Sequence, residues 1–442
     1  MMWRDPWDKS SIPVPYNGYD YIIYKEGDYV LAKNGRTGEI EFEGGDLGDI
    51  VTGLPDDSLI RIKPGKYQFS KTIHLEGESE LASKSLVGSP GVYLEYTGND
   101  KAIMLDATSK AQRGTRISDI ELHVGNSATG IQIEAKSPAY AQLVRLENLF
   151  IMSRNYLSNR YGYGIKILGD NHVGEVYEVI LSNVMTVGYK DGGFGVYIDG
   201  ASQVTIENYS SNPYFSDGFS NGTLALRVNA GNVVINQAFV GAPVALYGDT
   251  IVVNGIAFEG KFNDSSDKGD ALQIYGHNVT VNSVRATNLT AYKLINVGSY
   301  ASNVKISNIH SSGTNSIKYL LGFGSNLKDI IIENMSIPST QYTYLASAVF
   351  PDAVRCKGGL LQHDGIATFT GDGSTTSFKI AHGLSMYPSS ISTQPRCYYV
   401  VPLTDAAKQY SDVSADATDI IITFGTAPAS NTTLKFYWYA EV

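Results

Sequence analysis

Acidic side chains recur in this 442-residue chain at positions that become equivalent when like segments are aligned. Glu134 in GIQIEA and Asp199 in GVYIDG share one such position, and Glu147 in VRLENLFI and Glu207 in VTIENYSS share another. Glycoside hydrolysis uses two carboxyl groups at a fixed separation, about 5 Å for retention of configuration and about 6.5–9.5 Å for inversion. If the aligned segments are strands on successive coils, about 4.8 Å apart, each pair lies two coils or about 9.6 Å apart, the upper edge of the inverting range. Asp199, Glu134, Glu207 and Glu147 are therefore the candidate catalytic residues of a hydrolase or lyase acting on a polysaccharide. Lys166, Tyr197, Arg227, Gln273 and Tyr275 fall on the same face as Glu134. Of these, Tyr197, Arg227 and Tyr275 are candidate carbohydrate contacts, since aromatic rings stack on the apolar faces of pyranoses. A solvated outer sheet face with no ligand would show the same alternation.

Two long connections, Tyr156 to Tyr163 and Tyr209 to Phe219, concentrate aromatic and amide side chains. Long loops on a rigid scaffold commonly carry binding, which adds Tyr156, Tyr161 and Tyr214 to the candidate sugar contacts. Packing in a core or between subunits would use the same rings.

Other chemistries find little support. The seven histidines never pair at ligand spacing, and two cysteines, Cys356 and Cys397, cannot build a four-thiolate site or a disulfide framework. The acidic stretch NDSSDKGDA around Asp264, Asp267 and Asp270 lacks the spacing of an EF-hand loop and reads as a solvated turn. No phosphate-cradling glycine loop or Ser-His-Asp set stands out, so no metal and no cofactor is expected. A formal charge of −10 with no Lys/Arg run disfavours nucleic acid. No run nears the roughly 18 apolar residues of a membrane span. Met1 to Ser10 carries Arg4, Asp5, Asp8 and Lys9 where a signal peptide needs an apolar core, so any export is expected by another route.

A repeat supplies the scaffold that would position these groups. Apolar residues alternate with polar ones, followed by Asn or a small polar residue, in nine copies marked by Asp119, Asn148, Asn183, Asn208, Gln237, Gly255, Ser283, Asn308 and Asn334. Their mean interval is about 27 residues, too short for a propeller blade of roughly 40. A second strand follows most copies, such as GIKILG from Gly164 and ALRVNA from Ala225. Strands this short cannot bury an apolar face alone, but coils stacked on one another can, which predicts a parallel β-helix. Asn at an inward corner tolerates left-handed backbone, and its amide can bond to its equivalent one coil away.

The ends differ. The alternation from Tyr19 around Glu26-Gly27-Asp28 and Lys33-Asn34-Gly35 reads as a β meander, and a short helix is predicted from N-cap Asp46 to Pro55. Both could cover the open end of the stack. The asparagine repeat stops at Pro338, and from Asp364 short strands with turn signals about every ten residues suggest a β-sandwich. The expected domains are a cap over 1–45, a β-helix over 46–345 and a sandwich over 364–442.

The run from Ile60 to Leu75 with its Ile-Lys-Pro-Gly-Lys-Tyr core, the later Leu-Val-Gly and the Val-x-Ile-x-Asn coils resemble the pectate-lyase-superfamily right-handed β-helices, including those of viral tailspikes. The segment from Phe378-Lys-Ile-Ala-His-Gly-Leu to Phe436-Tyr-Trp-Tyr is similar in style to C-terminal modules of viral fibre proteins. The resemblance implies a right-handed β-helix, a carbohydrate-related function and, for viral members, a homotrimer. The Asn-Thr-Asp and Gly-His-Gly motifs of polygalacturonase-like enzymes do not occur, and Asp-Asp occurs only at Asp56-Asp57. The expected protein is a virion-surface tail fibre or spike that adheres to a host surface polysaccharide beside other virion proteins, with no membrane insertion. A polysaccharide depolymerase on the same scaffold is the alternative, and a cellular adhesin would need an export route that the N-terminus does not show.

Overall fold

The computed structural model describes residues 18–441 except 78–82, 156–159, 170–174, 214–222, 263–268, 349, 360–361 and 385–394. The fold is all β, a β-solenoid of about ten turns followed by two further sheets. The chain divides into two contact units, residues 1–263 with 276–278, and residues 264–275 with 279–442.

In the first unit the repeated segments pair in parallel and in register, as the alternation requires. Strand Ala141–Ser153 lies between Arg116–Val124 and Val176–Val187. One interior column runs Ile60, Leu86, Ile117, Leu146, Leu181, Ile206, Ile235, Val253, and every member is buried. A second wall runs Ile73, Ile103, Ile131, Ile165, Val196, Leu226, Val244. Each such side chain contributes about 1.5–3 kcal/mol by leaving water, so the ladders are the main stabilising term.

The corners carry the asparagines. Asp119, Asn148, Asn183 and Asn208 all have φ between 51° and 60°. Their side chains point outward, correcting the inward placement expected from the repeat: Asn148, Asn183 and Asn208 are exposed. The amide ladder itself is present. Asn148 Nδ2 donates to Asp119 Oδ1 at 2.9 Å, Asn183 to Asn148 at 2.9 Å and Asn208 to Asn183 at 3.0 Å. At the next coils the ladder moves back one residue, with Asn254 Nδ2 donating to Asn236 Oδ1 at 2.8 Å. Gln237 and Gly255, aligned with the asparagines by sequence, are not among the left-handed residues. A second left-handed corner precedes the first by five residues, at Leu143, Glu178 and Gln203. Its mixed composition hides it in the sequence.

The first unit begins with an antiparallel meander, Tyr21–Glu26, Tyr29–Asn34 and Ile40–Gly44. Its first strand also pairs in parallel with Leu59–Ile62, covering the open edge of the first coil. Helix Leu47–Gly53 is capped by Asp46, whose carboxylate accepts the N–H groups of Gly48 and Ser70 at 2.8 Å each.

In the second unit the same logic gives the columns Leu272, Ile295, Leu321, Ala346 and Ile306, Ile332, Cys356. Parallel pairing runs on through Val354–Gly359, past the expected end at 345, because Val354 and Cys356 continue the buried ladder. Two three-stranded antiparallel sheets follow, Gln362–Thr370 with Thr433–Glu441 and Cys397–Pro402, and Ser377–Ala381 with Asp419–Phe424 and Tyr410–Ala415. Phe369–Phe378 and Phe424–Phe436 ring contacts, at 5.1 and 6.4 Å, join them as a sandwich. Arg396 ties the sandwich to the last coil by donating to the carbonyls of Val354 and Phe350 at 2.7 and 2.6 Å. Cys356 and Cys397 are not bonded to each other, and burial pushes the Cys356 thiol up to about 12.

Replacing Asn183 tests the corner. Asn183→Ala removes two ladder bonds and leaves the Cβ at φ 52° without the amide that makes left-handed backbone tolerable, so a loss of about 1–2 kcal/mol is expected in urea unfolding. Asn183→Gly keeps the backbone freedom and should lose less. Equal midpoints for both variants and the parent would mean the ladder contributes nothing.

Candidate functional site

Interior register dictates what the outer face displays. In the first unit Ile133, Ile167, Ile198 and Val228 point inward and are fully buried. The residues before them form one outward column across four coils, Gln132, Lys166, Tyr197, Arg227, and the residues after them another, Glu134, Leu168, Asp199, Asn229.

A break in alternation adds two rings. Gly164 and Ile165 both face the interior, as do Gly195 and Val196: a Cβ on Gly164 would sit 2.9 Å from Thr186 Cγ2, and one on Gly195 2.6 Å from Thr186 Oγ1. Tyr163 and Phe194 are thereby turned to the outer face. Their rings stack at 5.2 Å and 8°, and Tyr197 stands edge-on to both at 5.6 and 5.0 Å. Lys166 Nζ lies 4.8 Å over the Tyr163 ring. The Arg227 guanidinium sits between Tyr197 and the exposed Tyr247, at 5.0 and 4.9 Å. Sequence alternation would have buried Tyr163 and Phe194, and only the glycine before each apolar residue signals otherwise.

The expected carboxylate spacings hold in the register. Glu134 and Asp199 are two coils apart with Leu168 between them, and Glu147 and Glu207 two coils apart with Ser182 between them. Each carboxylate is engaged. Asp199 accepts from Tyr197 Oη at 3.0 Å and Asn229 Nδ2 at 2.7 Å, and Glu134 from Gln132 Nε2 at 2.7 Å. Glu147 pairs with Arg116 at 2.9 Å, and Glu207 accepts from Asn236 Nδ2 at 3.4 Å. Burial first, and the Asp199 charge second, raise the Tyr197 phenol above its ordinary value.

The Glu134 column continues toward the N-terminus, where no asparagine repeat marks it. Asp106 is the register partner of Glu134, and His74 that of Met104, which places Glu76 beside Asp106. Glu76, Asp106 and Glu134 thus occupy three consecutive coils. The first two line a cavity of about 660 Å³ with His74, Lys84, Lys110 and Gln112. Glu76 takes His74 Nδ1 at 2.5 Å and the Asp106 backbone N–H at 3.2 Å. The buried Lys84 ammonium donates to the Thr52 carbonyl at 3.0 Å.

The remaining candidates scatter. Tyr161 is fully buried, in ring contact with Tyr189 at 6.1 Å, so it packs between coils and cannot meet a sugar. Tyr156 and Tyr214 lie outside the described residues, as do Asp264 and Asp267. Tyr275 belongs to the second unit, half-buried after strand Leu272–Ile274, and Gln273 in that strand donates to the Asp270 carbonyl at 3.2 Å. Asp270 is fully buried and paired with Lys293 at 3.2 Å rather than placed in a solvated turn. Among the described residues no group of three or more His, Cys, Asp or Glu could hold a metal, and no helix is long and apolar enough to cross a membrane.

No family model and no curated protein matches the sequence. Solved structures with similar winding include phage tailspikes and the A-module of the Azotobacter vinelandii mannuronan C-5 epimerase AlgE6, the latter at 12% identity and TM-score 0.35 over 68% of this chain and 90% of that one. The gp49 tailspike of Pseudomonas phage LKA1 matches at 12% identity and TM-score 0.49, over 87% of this chain and 67% of that one. The Gp54 tailspike of Acinetobacter baumannii bacteriophage AP22, in complex with A. baumannii capsular saccharide, matches at 10% and 0.42, over 90% and 94%. A tailspike of E. coli bacteriophage HK620 matches at 9% and 0.40, over 87% of each.

The buried phenols Tyr161, Tyr189 and Tyr209 have pKa values raised by desolvation above the ordinary value near 10. Because the folded-state values are the higher, their contribution to stability is complete below about pH 10 and is lost as pH rises through them. Alkaline titration should show a late tyrosinate phase coincident with loss of β circular dichroism. A single phase near pH 10 with structure intact is the contrary result.

Proposed function

We propose that this chain is a virion-surface spike that adheres to a host cell-surface glycan through the outer face around Tyr163, Phe194, Tyr197, Arg227 and Tyr247, as a homotrimer beside other virion proteins. The observation that carries the reading is that face: rings, cations and amides held in register over successive coils of a rigid sheet. Rings in differing orientations offer stacking surfaces to sugars, and the carboxylates and amides beside them accept and donate to hydroxyls. Tyr197→Ala should weaken binding to the bound glycan about tenfold, about 1.4 kcal/mol, by calorimetry or surface plasmon resonance. Tyr300→Ala, at an exposed ring elsewhere, should not. Equal affinity for Tyr197→Ala and parent would remove the face from the reading, and a strict monomer in light scattering would remove the trimer.

The cavity favours a second reading, depolymerisation. Glu76 and Asp106 stand on consecutive coils, whose spacing of about 4.8 Å suits a retaining pair. One carboxylate would attack the anomeric carbon while the other protonates the departing glycosidic oxygen. The latter would then take a proton from the water that releases the glycosyl ester. Glu76→Gln and Asp106→Asn should each abolish release of new reducing ends while binding at the face persists. Glu207→Gln, outside both the face and the cavity, should leave release intact. If the parent liberates no ends from any host-surface polymer it binds, hydrolysis is excluded.

A further inference from the structure

We infer that the glycan taken by the outer face is acidic, with negative groups at the spacing of every second sugar ring. The inference rests on the glycan-binding reading above and specifies its ligand. Lys166, Tyr197 and Arg227 are successive register partners in one column, so the two cations stand two coils, about 9.6 Å, apart with a ring between them.

Neither cation is neutralised from within. Among the described residues Lys166 and Arg227 make no ion pair and no hydrogen bond; their contacts are the rings of Tyr163, Tyr197 and Tyr247. Arg227 Nε is buried and without a hydrogen-bond partner. A guanidinium clamped between two rings loses rotamer freedom and part of its water, and a buried donor left unpaired carries the full cost of desolvation. A carboxylate arriving from solvent would meet a pre-oriented fork.

The carboxylates of the face do not fill that role. Asp199 is held by Tyr197 and Asn229, and Glu134 by Gln132, all neutral donors. They lie in the adjacent column, two residues further along the strands, roughly 7 Å from the cation column. An acidic chain along the sheet is therefore oriented. Its negative groups sit over Lys166 and Arg227, and its hydroxyls reach the Glu134–Asp199 side, since the reverse placement sets like charges together.

The test is an array of acidic and neutral bacterial surface polysaccharides probed with the full chain, followed by carboxyl reduction of each glycan bound. The expected result is that bound glycans are acidic and that reduction lowers affinity tenfold or more. Arg227→Gln and Lys166→Gln should reproduce the loss on the unreduced glycan, with Arg227→Lys retaining part of it. Added salt should weaken the parent more than either Gln variant. If the bound glycans are neutral, or reduction and Arg227→Gln leave affinity unchanged while Tyr197→Ala lowers it, the acidic assignment is overturned and the face remains a glycan site. If nothing binds, or binding ignores Tyr197→Ala, the glycan reading itself fails and this inference with it. Thermal melts of the variants matching the parent exclude unfolding as the cause.

Discussion

Hydrogen bonding between parallel coils sets a repeat of about 4.8 Å along the solenoid, and every other feature inherits that repeat. In the first unit one aliphatic column holds its register from Ile60 to Val253. A slip of one residue would carry Leu146 or Ile206 to the outer face and a polar neighbour inward. Straight interior columns make straight exterior ones. Lys166, Tyr197 and Arg227 align for the same reason that Ile165, Val196 and Leu226 do.

The outer face also depends on a controlled breach of that rule. Where glycine precedes the inward aliphatic residue, two consecutive residues face the core and the strand turns Tyr163 and Phe194 outward. Thr186 fills the space a Cβ would occupy, so the aromatic cluster is bought with a glycine that is entropically costly in a strand. The corners behave similarly, since outward asparagines accept left-handed backbone and bond along the axis from one coil to the next.

Charge is distributed unevenly over this surface. Carboxylates in the Glu134–Asp199 column are satisfied by amides and a phenol, whereas the cations beside them rest on rings. Nearer the N-terminus the same column becomes Glu76 and Asp106 and enters a cavity with a buried lysine. One column can thus face a ligand in two ways, as a hydrogen-bonding rim on the open sheet and as closely spaced acids in a recess.

Apolar alternation and the asparagine interval were enough to read the coils, the meander, the Asp46 cap and the sandwich, because burial and turn chemistry act locally. They also gave the two-coil spacing of Glu134 with Asp199 and of Glu147 with Glu207, since that follows from register alone. Tertiary structure decided the rest. Tyr161 belongs to the core, Glu76 and Asp106 join a column that no repeat marks, and Tyr163 and Phe194 come to the surface through a glycine kink. Period-two patterning assigns a side chain to one of two faces, but which groups share a cavity or clamp a cation depends on the path between strands, where alternation carries no information.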